Sequence, residues 1–589
     1  MTWKTVLVSA LIVLASCSHQ KTSTLPSVKD WIRQSDEIAN KYSRERGSLS
    51  PEMASYLGFS EFDTEVTGLD STYEERILSF EKKWLAKLES ESKKSHPPET
   101  LEDIAILKEK VKLTIEGTEL DKKLAVMTFN AGTKDIFQGL QAMINPQIPK
   151  DRQAKAVDRF KKYVNGFGKY KPFLVACAEH MKEQAKEFAG KNPVYPYKRE
   201  VDLYLSESPT YTAGIEELLK STGRTDWQAD YEKFKSQAVV FDAFVKSDIL
   251  PYARTKAQLP RDLYAFNLKA MGFQVSPEEL IEIGEAGYKE LYPRYQALAK
   301  NLAKKYHLQS SQPKDVMAFL KKKQVTKHDE VEKLYHEADA RLKDIIIKNR
   351  IATLPAQPLV IRLAGEAESK AAPVPHLNPP PFVNNKGERP EFVVPTAKGK
   401  MPYDDFTHQY AAIMLTAHEG RPGHDLQFSR MLEGGMSMIR ATYAMNSVNV
   451  EGWALYAEDM VYPYVKDEEK FVGLQMRLWR MARAFLDPQI QLGKIKDQRV
   501  FDVFTKELGV SKEMAELELR RYSIMAPGQA PSYYYGYLMV KKTREWAEAR
   551  AGQNFDPKCF NDQVLSYGLL PLPMIFDKVK NSPACLALD

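Results

Sequence analysis

His418-Glu419-Gly420-Arg421-Pro422-Gly423-His424 interrupts an apolar, helix-patterned stretch that runs from Ala411 to Leu432. A His-Glu pair with a second His nearby is how zinc hydrolases hold a metal and a general base together. In the usual form two residues separate the Glu from the second His. Here there are four, among them Pro422 and Gly423. On a regular helix His418 and His424 would point roughly 240° apart and could not share one ion. Pro422, however, lacks an N–H, and its ring clashes with the carbonyl four residues back, that of His418. Gly423 reaches backbone angles closed to other residues. The pair predicts a local bulge in a continuing helix, one that returns His424 to the side of His418. The alternative is a helix that ends at Pro422, with His424 opening the next.

Zinc of this type needs a third protein ligand and an open position for water. Asn449 to Glu458 reads as an apolar helical segment with two carboxylates on one face, Glu451 and Glu458. An unpaired carboxylate would be costly there. Glu451 is the candidate third ligand. Glu458 is placed to accept the outer N–H of a ligand histidine, or is simply a surface acid beside Asp459. Further on, Arg520-Arg521-Tyr522 precedes Pro527-Gly528-Gln529-Ala530-Pro531-Ser532 and the run Tyr533-Tyr534-Tyr535-Gly536-Tyr537. These tyrosines could be core packing. A phenol O–H is also a suitable donor to an oxyanion, which makes Tyr533, Tyr534 and Tyr537 catalytic candidates. Arg521 could grip a substrate carboxylate through two parallel hydrogen bonds, and Gln529 is a second substrate-binding candidate.

Helical periodicity dominates elsewhere: Leu69 to Ile115, Arg152 to Ala189, Trp227 to Leu250, Pro277 to Tyr306 and His328 to Ile351. Ser276-Pro277-Glu278-Glu279 is a helix start, with Ser as cap and Pro at the first helical position. Prolines cluster from Pro355 to Pro395. Between them Pro358 to Leu363 and Glu391 to Val394 look like short strands, so a small sheet is expected just before the motif. It is either a structural linker or an edge on which an extended peptide could pair. After residue 405 the chain is helical again, over roughly Phe406 to Leu432, Val448 to Tyr464, Asp467 to Leu492, Ser511 to Met525 and Ser532 to Arg550.

The three blocks together, His418 to His424, Glu451-Gly452-Trp453-Ala454-Leu455-Tyr456 and Pro527 to Gly536, resemble a bacterial family of unknown function grouped with zincin-like metallopeptidases. Order and spacing match over roughly residues 350 to 580. A looser match reaches back to Tyr56-Leu57-Gly58, Glu61-Phe62-Asp63 and Glu278 to Tyr288. A wider likeness is to the thimet-oligopeptidase family, where a Glu follows the His-Glu helix at a comparable distance, another Glu comes seven residues later, and a run similar to Tyr534-Tyr535-Gly536-Tyr537-Leu538 supplies catalytic tyrosines. The resemblance implies a mainly α, two-lobed zincin-like fold with a deep cleft and a small β-sheet near the site. It implies Zn²⁺ on His418, His424 and Glu451, Glu419 as general base, and short peptides as substrates. A catalytically inactive tethered protein that binds peptide or cell-wall fragments, and a zinc hydrolase of non-peptide amides, are the rival readings.

At 589 residues the chain can bury a large core. It is 43% hydrophobic and 28% charged, with a net charge of only +6. Lysine runs such as Lys321 to Lys323 lie in helical context, and no basic stretch interleaves with aromatics, so no nucleic-acid partner is expected. Met1 to Lys4 is a basic lead, and Val6 to Leu14 an apolar run too short to span a bilayer. Leu14-Ala15-Ser16-Cys17 resembles a bacterial lipobox, which implies cleavage before Cys17 and lipidation of its thiol; the bland alternative is an ordinary secretory signal. Ser18 after the cysteine resembles outer-membrane sorting, with the body facing the periplasm. The membrane is then met only through the lipid anchor. Residues 1–16 are thus read as signal, 17–27 as tether, 28–350 as an N-terminal helical lobe, 351–404 as the Pro-rich segment and 405–589 as the catalytic lobe. Cys559 and Cys585 could pair and pin the C-terminal tail, leaving Cys177 free and buried.

Overall fold

The computed structural model describes residues 29–325, 327–395, 404–582 and 585. Cys17 and the leader around it lie outside the described residues. The fold is mainly α with one small sheet. No helix among the described residues is long and apolar enough to cross a membrane.

Helices begin and end where the local chemistry dictates. Pro277–Lys305 opens on a reciprocal cap: Glu279 N–H donates to Ser276 Oγ, and the Ser276 N–H donates to Glu279 Oε2. The periodic stretch from Leu69 to Ile115 resolves into two helices, Tyr73–Glu91 and Pro98–Lys123, split at Pro97 and Pro98. Arg152 to Ala189 likewise divides into Lys150–Asn165 and Phe173–Glu187, because Gly166 at φ +74° and Pro172 cannot continue a helix.

Both expected strands form, β1 (Val360–Leu363) and β3 (Glu391–Val394), joined by a third, β2 (His376–Asn378), which lies among prolines and carries no alternating pattern. The order is β1-β3-β2. β1 runs parallel to β3, with Val360 opposite Glu391 and Leu363 opposite Val394, and β2 runs antiparallel to β3 on its other side. The central strand is buried throughout, as a strand covered on both faces should be.

One apolar core, including Val66, Phe160, Tyr211, Phe234 and Ile249, gathers helices of the first 250 residues. The larger core draws on both sides of the proline-rich segment, from Tyr42, Trp84 and Leu280 to Trp453, Leu486 and Val579. At its centre helix Asp467–Gln491 is buried along almost its whole length and packs along Pro277–Lys305. The Cys559–Cys585 disulfide forms and Cys177 is buried and free.

Asp487 ties the Pro527-Gly528 turn to this central helix. It is fully buried and accepts hydrogen bonds from the Tyr264 hydroxyl (2.9 Å) and from Gly528 N–H (3.1 Å). Burial pushes its carboxyl up to about 8, against those hydrogen bonds and with Glu518 adding to the rise. A folded-state value above the unfolded 3.8 means that the native state holds the proton more tightly. The stability this contributes is fully present below about 3.8 and is lost as the pH rises through about 8. Asp487→Asn removes that dependence. Its melting temperature relative to wild type should therefore rise between pH 5 and pH 9 in calorimetry; a constant difference would show that Asp487 does not titrate in this window.

Candidate functional site

Helix Gln409–Glu419 ends at the first two residues of the motif, and every residue from Ala411 to Glu419 is buried. The expected bulge does not form. Instead the helix stops at Glu419, the Arg421–Pro422 peptide is cis, and a new helix, His424–Gly434, starts at the second histidine. The reason is the proline, which removes the N–H that would continue the ladder and restricts Arg421 before it. Gly423 lets the break stay tight. A Cβ at that position would lie 1.9 Å from the His418 carbonyl oxygen and 2.5 Å from that of Ala417. The Trp453 indole closes the turn by donating to the carbonyls of Pro422 (3.0 Å) and Gly423 (3.3 Å). Arg421 is tied to Asp425 (2.5 Å) and to the Gln357 carbonyl (2.6 Å), just ahead of β1.

The break reaches the same end by another route. The rings of His418 and His424 stand edge to face, 4.9 Å between centroids. Glu451, on helix Ser447–Val461, places Oε2 at 3.5 Å from the Nε2 atoms of both histidines. One ligand atom from each of the three residues lies within 4.8 Å of the others, the only such group of three His, Cys, Asp or Glu found among the described residues. Glu451 Oε2, which faces both Nε2 atoms, is buried with no hydrogen-bond partner, a cost that a cation between the three residues would remove. Two imidazoles and a carboxylate are a donor set that zinc takes.

Two of the three, His418 and Glu451, are held from behind. Glu458 Oε1 is 2.8 Å from His418 Nδ1 and 3.3 Å from Arg480. Burial alone would raise the Glu458 carboxyl, but Arg480 and His418 hold it below its usual value. Burial also opposes charge on His418, yet its contacts with Glu451 and Glu458 push it up to about 9. Gln529 donates to Glu451 Oε1 (3.3 Å) and to Ser447 Oγ (3.1 Å), and accepts from Arg521 (3.0 Å). Gln529 and Arg521, read from the sequence as contacts to substrate, thus form a file that ends on Glu451. Glu419 lies beside the cluster, with Oε1 4.0 Å from His418 Nε2.

Of the three candidate tyrosines, the structure brings one to the cluster. The Tyr533 ring stacks on His418 at 5.9 Å and 15°, under the guanidinium of Arg483 at 4.5 Å. Burial, with Glu451 adding, raises its pKa and keeps it a phenol. Tyr534 is turned about 100° round the helix, and its hydroxyl lies over Gly287 of helix Pro277–Lys305. Tyr537, one turn further along, donates to Asp459 (3.1 Å). Tyr533 and Glu451 are neighbours because helix Ser532–Ala551 crosses helix Ser447–Val461 at two glycines. A Cβ on Gly536 would meet the Val448 carbonyl oxygen at 2.0 Å, and one on Gly452 the Gly536 carbonyl carbon at 2.5 Å.

Three further residues were not singled out in the sequence: Arg477, Arg480 and Arg483, all buried on one side of helix Asp467–Gln491. Their signal is present in it. Arginines at a spacing of three inside the apolar run Leu474 to Leu486 are unusual, since Arg is almost never buried unless paired.

Fold and cluster together define a mainly α-helical protein built round a buried His-His-Glu site. The chain belongs to the DUF885 family, described as bacterial proteins of unknown function, whose model matches residues 51–579. Among solved structures it is similar to a candidate lipoprotein from Colwellia psychrerythraea (TM-score 0.74, 17% identity, 93% of this chain and 98% of that one). It is similar too to a candidate lipoprotein of unknown function from Shewanella oneidensis (TM-score 0.70, 19% identity, 93% and 100% covered). At such identities the likeness is one of fold. A candidate oligoendopeptidase F from Bacillus anthracis aligns at a TM-score of only 0.30, with 10% identity over 86% of this chain and 92% of that one, too loosely to carry an argument. No curated protein matches the chain.

Proposed function

We propose that the protein is a zinc-dependent metallopeptidase that hydrolyses short peptides. The observation that carries this is the convergence of His418, His424 and Glu451 within 4.8 Å of one another, with Glu419 at their side. Zinc bound there supplies Lewis acidity, polarising a carbonyl and lowering the pKa of water to about 7. Glu419 takes the proton of the attacking water and returns it to the leaving amine. Glu458 accepts the Nδ1–H of His418, which fixes the tautomer that leaves Nε2 free as a ligand. Tyr533 donates to the oxyanion as it develops. The leader ending in Cys17 supports a lipid-anchored envelope location, the outer membrane on the periplasmic side.

The test is to express the mature chain and measure bound metal, then incubate it with a mixed peptide pool read by mass spectrometry. About one equivalent of zinc and new peptide termini are expected. A protein without zinc at equimolar supply, or one that binds peptides and cuts none, would favour the inactive binding protein. Tyr533→Phe should retain zinc and lower kcat roughly 10²–10³-fold, the usual cost of one oxyanion donor. An unchanged kcat would leave Tyr533 as packing against His418.

A further inference from the structure

Three of the arginines around the site each hold a carboxylate at close range. Arg477 pairs with Asp459 at 2.6 Å, Arg480 with Glu458 at 3.3 Å, and Arg483 with Glu518 through two contacts of 2.8 and 2.6 Å. Four guanidiniums stand here, because Arg521 closes the group. Among the described residues its one ion-pair contact is at 3.8 Å, to the Glu518 oxygen that Arg483 already holds. Its Nε is buried with no hydrogen-bond partner. Asp487, also near Glu518, brings no countercharge while burial keeps it protonated. Arg521 is therefore left with no carboxylate within hydrogen-bonding distance, in a side chain only 14% exposed, where a charge without a close partner is costly. Its place is defined by the file that runs from Arg521 through Gln529 to Glu451 in contacts of 3.0 and 3.3 Å.

We propose that Arg521 anchors a carboxylate of the peptide substrate. A guanidinium fork matches a carboxylate in shape as well as charge, and a peptide offers one at its free C-terminus or on an Asp or Glu side chain. The anchor stands one glutamine away from Glu451. A peptide spans about 3.3–3.6 Å per residue, so one or two residues fit between the bond at the cluster and the captured carboxylate. If that carboxylate is the C-terminal one, the products are single residues or dipeptides released from the C-terminus. The proposal takes its cleavage register from the peptidase reading, but the anchor itself is tested by binding alone.

The full mature chain carrying Glu419→Gln, which prevents turnover, would be immobilised and offered a mixed hexapeptide pool in three forms. One has a free C-terminal carboxylate, one a C-terminal amide, and one a C-terminal amide with Asp at one of the last two positions. Retained peptide is quantified by mass spectrometry. A carboxylate form should bind roughly 10- to 100-fold tighter than the plain amide, the range of a hydrogen-bonded charge pair. The free-acid form winning identifies the C-terminus; the Asp form winning identifies a side chain. Arg521→Gln in the same background should bring the three forms within about twofold, and Arg521→Lys should restore part of the preference. Equal binding of acid and amide, no binding of any form, or an equal loss on all three in Arg521→Gln would overturn the proposal. The last would mean that Arg521 only positions Gln529. Zinc content and turnover of the wild type are read separately, so failure of the peptidase reading is recognised on its own.

Discussion

Glu419→Gln is expected to retain one equivalent of zinc and to lose peptide hydrolysis by roughly 10²–10⁴-fold, the range a positioned acid–base group supplies. The two halves of this result have separate physical origins. Glu419 stands beside the cluster, 4.0 Å from His418 Nε2, and is not one of the three residues whose ligand atoms converge. Glutamine keeps its length and its hydrogen-bonding oxygen, so the helix end and the ligand atoms need not move. It cannot accept a proton near neutral pH. Metal analysis and turnover on the same preparation check both halves. Loss of zinc together with activity would make Glu419 a ligand, and full activity with zinc in place would move the base elsewhere.

The second large effect is a double contrast between Glu451 and Glu458. Glu451→Ala removes a ligand atom and should abolish stoichiometric zinc. Glu458→Ala removes only the acceptor behind His418 and should weaken zinc roughly 10–100-fold. Stability should rank the other way. Glu458 is fully buried against Arg480, and breaking a buried pair from one side costs about 3–5 kcal/mol because the remaining charge is stranded. Glu458→Ala should therefore melt lower than Glu451→Ala, while Glu458→Gln, which keeps an acceptor, should recover part of both losses. Zinc titration and calorimetry decide it. Equal losses of zinc in the two alanine variants would remove the distinction between ligand and support.

How far the sequence alone points to these residues depends on how local their causes are. His418, Glu419 and Glu451 are visible because polar residues in apolar helical segments must have partners. The Ser276 cap and the two strands flanking the prolines are visible for equally local reasons. The sequence around Pro422 holds the ingredients of the turn but does not choose between its two outcomes, and the favoured bulge is not the one that forms. Both a bulge and a break satisfy the proline, and the choice is made by Trp453, which reaches back to the carbonyls of Pro422 and Gly423 from another helix. The same holds for the tyrosines. Their clustering is legible, but only the crossing at Gly452 and Gly536 determines that Tyr533 faces His418. Strand β2 carries no pattern of its own; pairing with Glu391–Val394 makes it a strand.

That glycine crossing also constrains how the protein can move. With backbone pressed on backbone at Gly452 and Gly536, there is no layer of side chains between the two helices to act as a bearing. Any side chain larger than glycine at either position would push the two helices apart. Glu451 and Tyr533 are thereby bolted into one plate, and the spacing between them is set by main chain rather than by rotamers. If the molecule opens and closes around a peptide, that plate travels as a unit, and the compliance has to reside where side chains or loops separate the parts.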